Sequence, residues 1–130
     1  MKLLYTILFI SLLASQSIWG QTMADSSVVG RWKGNSVCQV KNSPCHDELN
    51  VYYISKAPGI DSFKISAMKI VNGKEEEMGI LNYKLDRLHH TLVSTDYNSL
   101  WTLHLRGDDL DGTLHARGSL YRIIKLKKQY

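Results

Sequence analysis

From Val28 onward, apolar and polar positions alternate in short runs, and Gly, Asn or Asp interrupts them at short, regular intervals. No stretch after residue 20 carries a sustained 3.6-residue period. The pattern predicts strands joined by turns, with no helix. A first strand is expected over 28–40, with Gly30, Trp32, Gly34, Ser36 and Cys38 on its inner face. A loop with Pro44 follows, then a strand over 49–56 whose apolar residues fall on both faces, so alternation does not orient it. The strand over 62–71 places Phe63, Ile65 and Ala67 together, and Met68 and Ile70 then disturb the alternation as a bulge would. Asn72-Gly73 is a type I′ hairpin signal. Further strands are expected over 74–85, 88–95, 99–106, 110–116 and 118–127, with Leu120, Arg122, Ile124 and Leu126 sharing a face of the last.

Eight short antiparallel strands in one domain predict an all-β fold, an eight-stranded up-and-down barrel. Closure removes the edges that an open meander would expose. The interior of such a barrel is either filled by side chains or holds one small ligand. Tyr53, Phe63, Tyr83 and Trp101 are the candidates to line a cavity. Trp32 and Tyr121 are further aromatic residues of the same set.

Residues 1–20 change the picture. Lys2 precedes an apolar run from Leu3 to Ala14, and Gly20 offers a small residue at a cleavage point, so this segment is expected to be a secretory signal. Its apolar run is too short to span a bilayer. The domain is then 21–130, and the protein is expected to be secreted or periplasmic, with no transmembrane segment after cleavage. In an exported chain, Cys38 and Cys45 are expected to form a disulfide, worth roughly 2.5 kcal/mol for so short a loop. Without Lys2, 15 basic side chains face 12 acidic ones, a net charge of +3. This mild excess, with no basic stripe or motif, argues against a nucleic-acid partner. A monomer is expected.

Gly30-Arg31-Trp32 resembles the G-x-W that opens lipocalins and the wider calycin group. In that family the Trp closes the base of the barrel, and an Arg near the C-terminal end packs over it. The resemblance makes Arg122 that residue, with Gly30 and Trp32 as its partners in barrel closure, and implies a contact of roughly 0.5–2 kcal/mol. Thr95-Asp96-Tyr97 resembles a second lipocalin motif, although the strand count puts it at the open end of the barrel. The segment from Trp32 to Glu48 is similar to that of small exported bacterial proteins. The resemblance implies a binding protein rather than an enzyme.

Candidate chemistry is sparse. Cys38, Cys45, His46, Asp47 and Glu48 offer zinc-ligand types, but their spacing matches no zinc motif and an oxidising compartment favours the disulfide. Asp47 and Glu48 are adjacent, so their side chains diverge and do not suit paired acid–base catalysis. They are expected at the rim of the mouth, in reach of a polar headgroup. His89 and His90 would face opposite sides of a strand. His104, if paired with Asp111, would stand about 13 Å from His115. No catalytic residue, metal or cofactor is implied. The expected role is non-catalytic binding of a small hydrophobic or amphipathic ligand. The alternative is a protein-binding module, such as an exported hydrolase inhibitor, presenting the stapled loop 41–48 to a protein partner.

Overall fold

The structure, a computed structural model, describes residues 23–130; the expected signal segment lies outside them. Eight strands form one closed antiparallel barrel: β1 Gly30–Cys38, β2 Glu48–Lys56, β3 Ser62–Val71, β4 Lys74–Asp86, β5 Thr91–Ser94, β6 Ser99–Arg106, β7 Asp109–Ala116 and β8 Ser119–Gln129. Each strand pairs with the next, and β8 returns to β1. The only helical segments among the described residues are two 3-10 turns, Asp25–Ser27 and Asp96–Asn98.

The alternation sets the walls. Trp32, Phe63, Ile65, Tyr83, Leu92, Leu103, Leu110, Ile124 and Leu126 point inward and are buried. On β2 the inward residues are Asn50, Tyr52 and Ile54. Val51 is buried as well, although it lies on the outer face, where Lys33 and Met68 are its cross-strand partners. This explains why alternation does not orient the strand. Asn72 and Gly73 both take positive φ, 52° and 76°, as a type I′ turn requires. A bulge does fall where Met68 breaks the alternation, but on the neighbouring strand rather than on β3: Ala67 pairs with Gly79 and Met68 with Glu77, leaving Met78 of β4 as the extra residue.

One strand is much shorter than its pattern. β5 starts at Thr91, not at Leu88. The Asp86 carboxylate accepts from the His89 backbone N–H (3.1 Å) and contacts its Nδ1 (2.7 Å), and His90 turns left-handed at φ 52°. This side-chain-to-backbone bond stabilises a turn over extended chain. His89 and His90 therefore belong to a turn, not to two faces of a strand.

The closed end is built differently from the expectation. Trp32 is fully buried, and its Nε1 donates to the Val28 carbonyl (2.9 Å). Arg122 does not pack over it. The β1–β8 register places Trp32 opposite Lys128 and Cys38 opposite Arg122. The Lys128 ammonium sits 5.6 Å from the Trp32 ring centroid and donates to the Ser26 carbonyl (2.8 Å). The reason is stagger: strands in a barrel are offset by its shear, and β8 runs to Gln129, so the position level with Trp32 lies six residues beyond Arg122. Arg87 ties down the segment below by donating to the Met23 carbonyl (2.5 Å), Asp25 (2.6 Å) and Asp61 (2.6 Å). Gly30 keeps its expected place at the start of β1, at φ 145°. With Arg122 elsewhere, that part of the lipocalin resemblance does not hold.

At the opposite end, Cys38 and Cys45 stand at disulfide-bonding distance, with Cα atoms 6.0 Å apart. Replacing both by Ser should lower unfolding free energy by about 2.5 kcal/mol, by release of the unfolded-chain constraint. Urea denaturation with and without a thiol reductant checks this: the reductant should destabilise the parent and leave the double variant unchanged.

Candidate functional site at the barrel mouth

The barrel is solid at its closed end and hollow at its open end. There a cavity of about 240 Å³ opens between the strand ends, with two unlike walls. The wall from β1, β2 and β8 is polar, formed by Ser36, Glu48, Asn50, Tyr52 and Arg122. The wall from β3, β4, β6 and the second 3-10 turn is mostly apolar, with Ala67, Met78, Leu81, Tyr97 and Trp101.

Arg122 organises the polar wall. Its Nη1 donates to the Ser36 carbonyl (3.3 Å), the Ser36 hydroxyl (3.2 Å) and the His46 carbonyl (2.9 Å). Its Nη2 donates to Glu48 at 3.4 Å, and Asn50 donates to the other Glu48 oxygen at 3.2 Å. The Arg122 side chain is only 12% exposed and that of Glu48 23%. An inward guanidinium on an apolar strand needs such partners, because an unpaired buried charge is costly. The stapled loop thus supplies one of them through the His46 carbonyl.

The other wall is set by the second 3-10 turn. Tyr97 and Asn98 both take left-handed φ, 58° and 52°. Asp96 accepts from the Asn82 backbone N–H (2.8 Å) and side-chain amide (3.3 Å), and the Tyr97 hydroxyl donates to the Ile80 carbonyl (3.3 Å). β5 covers β4 only from Lys84 to Asp86, so these side-chain bonds bridge the upper gap in the wall. The turn lies at the open end, as the strand count requires.

Two buried donors near this cavity have no acceptor among the described residues: Trp101 Nε1 and the Tyr83 hydroxyl. Burial raises the Tyr52 phenol above its ordinary value of 10.0, and nearby Glu48 adds to the shift while Arg122 opposes it. Burial likewise holds the Tyr83 phenol well above that value, with Tyr52 and Asp96 adding to it. A phenol raised in the fold binds its proton more tightly than in the unfolded chain. Its stabilising effect is complete below the ordinary phenol range and lost as pH rises beyond it. Alkaline titration should therefore show exposed tyrosines ionising first, and Tyr52 and Tyr83 only in a cooperative step with unfolding. Tyrosinate absorbance and circular dichroism, followed together, check this.

Of the four aromatic candidates, Trp101 alone lines the cavity. Phe63 and Tyr83 are packed in the core. Tyr53 faces outward, 37% exposed, its hydroxyl donating to Glu75 (2.7 Å) and accepting from Arg31 (3.3 Å). It sits on the opposite face from Tyr52, the aromatic residue that does line the cavity. Asp47 is not a cavity residue; its carboxylate accepts from the Cys38 backbone N–H (2.9 Å). Glu48 is one. Asn50 and Tyr52 escaped sequence reasoning, although they are the residues two and four positions beyond Glu48 and so share its face.

Among the described residues, no three His, Cys, Asp or Glu side chains gather to hold a metal. No helix there is long and apolar enough to cross a membrane. His104 pairs with Asp111 across the β6–β7 ladder, as expected, and its Nδ1 contacts the Thr91 hydroxyl (3.1 Å). No model of a known protein family matches the chain, and no curated protein matches it.

Proposed function

We propose that this is an exported, lipocalin-like, non-catalytic binding protein that holds a small amphipathic ligand in the mouth of its barrel. The observation that carries this reading is the two-walled cavity: Arg122, Glu48 and Asn50 face a polar group, while Ala67, Leu81 and Met78 face an apolar one. Ligand sites commonly combine an apolar lining with a few placed polar groups. At about 240 Å³ the space is below the usual range. It accommodates roughly eight non-hydrogen atoms at ~30 Å³ each.

The test is extraction. Protein purified gently from its native host, heat-denatured and extracted with solvent, should release a small molecule in near-stoichiometric amount by mass spectrometry. Protein that releases none, and whose mouth resonances no fragment of this size shifts in a nuclear magnetic resonance screen, overturns the reading.

The packed lower barrel favours a second reading, in which the loop between β1 and β2 contacts a protein partner such as an exported hydrolase. Its residues Lys41, Asn42, Pro44, His46 and Asp47 are exposed. Replacing 41–44 and 46 with Gly and Ser, with the cysteines kept, should then abolish inhibition of that hydrolase while leaving ligand extraction unchanged.

A further inference from the structure

We infer that the mouth selects an uncharged, carbonyl-bearing ligand, such as a short-chain amide, over the carboxylate or the alcohol of the same length. This rests on the mouth being the ligand site and adds the ligand's chemical class.

The first argument is charge balance. Arg122 and Glu48 stand on one wall and bond to each other, so their charges cancel within the cavity. A carboxylate entering beside them would meet the Glu48 carboxylate at close range, and an ammonium would meet the Arg122 guanidinium. Either would leave one net charge with little water around it, the arrangement that costs most in a partly buried site. An uncharged head avoids both.

The second argument is the inventory of hydrogen bonds. Trp101 lines the cavity, and its buried Nε1, a donor only, has no acceptor among the described residues. Arg122 uses its Nη1 and Nη2 groups, whereas its Nε makes no hydrogen bond among the described residues. The acceptors on this wall are only partly engaged: Glu48 takes bonds from Arg122 and Asn50 and the Ser36 hydroxyl takes one from Arg122, while Asn50 Oδ1 takes none among the described residues. The site therefore has both a donor, Arg122 Nε, and an acceptor, Asn50 Oδ1, to spare. A primary amide meets both without charge, its carbonyl oxygen bringing two lone pairs and its amino group two donors, whereas an alcohol has one oxygen for both. The amide's alkyl chain would lie against Ala67, Leu81 and Met78.

The probes are hexanamide, hexanoate and hexanol, each close to the size that the cavity holds. The readout is the indole N–H resonance of Trp101 in the purified protein, assigned with Trp101→Phe. The Trp32 indole, already bonded to Val28, serves as the internal reference. Hexanamide should shift the Trp101 signal, leave that of Trp32 in place, and bind at least tenfold tighter than hexanoate or hexanol. Hexanoate binding as tightly as hexanamide overturns the charge argument, and hexanol doing so overturns the hydrogen-bond argument; in both cases the pocket reading stands. If none of the three shifts any mouth resonance, the pocket reading itself fails. Glu48→Gln removes the balancing charge and should move the hexanoate-to-hexanamide affinity ratio at least tenfold toward hexanoate. An unchanged ratio in that variant also overturns the inference.

Discussion

Gly34→Ala should abolish the stable fold. Gly34 lies on β1 directly opposite Leu126 of β8, at the seam where the barrel closes. A Cβ there would fall 1.9 Å from the Lys125 carbonyl oxygen and 2.9 Å from both the Lys125 carbonyl carbon and the Leu126 Cα. All three are backbone atoms, so no rotamer change relieves the clash. The strands must separate, and the ladder between the first and last strands is lost with them. The expected cost is above about 4 kcal/mol, the exceptional end of single substitutions and a large share of a domain's total of about 5–15 kcal/mol. Gly118→Ala is the control. Gly118 has φ 76° and open space where its Cβ would go, so only backbone strain of roughly 1 kcal/mol is expected. Thermal melts of both variants decide the matter: Gly34→Ala folding within 5 °C of the parent, a shift of roughly 1 kcal/mol, would refute the seam argument.

Trp32→Ala is the second large effect. The indole is fully buried, donates to the Val28 carbonyl and lies under the Lys128 ammonium. Truncation empties the base of the barrel, orphans a buried carbonyl and leaves Lys128 without an aromatic face. Large-to-small changes of this kind cost about 3–5 kcal/mol. Trp32→Phe keeps the ring face and loses the N–H bond, so it should cost about 1–3 kcal/mol, the penalty of an unsatisfied buried group. Urea denaturation gives both values. A loss below about 2 kcal/mol for the alanine variant would mean that Trp32 is not the keystone of the closed end.

The same residues show what was legible in the chain. Eight strands, their order and the Asn72-Gly73 hairpin follow from alternation and turn chemistry, both local properties. Register around the closed sheet is not local. The offset between β1 and β8 depends on the shear accumulated over every strand between them. Local pattern therefore puts Arg122 at the wrong end, and Lys128, an ordinary tail lysine by composition, holds the position over Trp32. β2 shows a second limit: Val51 is covered on the outer wall by its neighbours' side chains, so its burial tells nothing of the interior. Tyr52 and Tyr53 look equivalent in the sequence, yet one lines the cavity and the other bonds Glu75 on the outside.

The β1–β8 seam also dictates when this chain finishes folding. Pairing the first strand with the last puts the longest sequence separation into the step that completes the structure, and barrels dominated by such non-local pairs fold in milliseconds to seconds rather than microseconds. Until the eleven residues of β8 arrive, β1 and β7 each present an unpaired edge to any other extended chain nearby. A chain arrested before residue 119 is thus a template for aggregation, and the interval between synthesis of β7 and docking of β8 is the vulnerable period in its life.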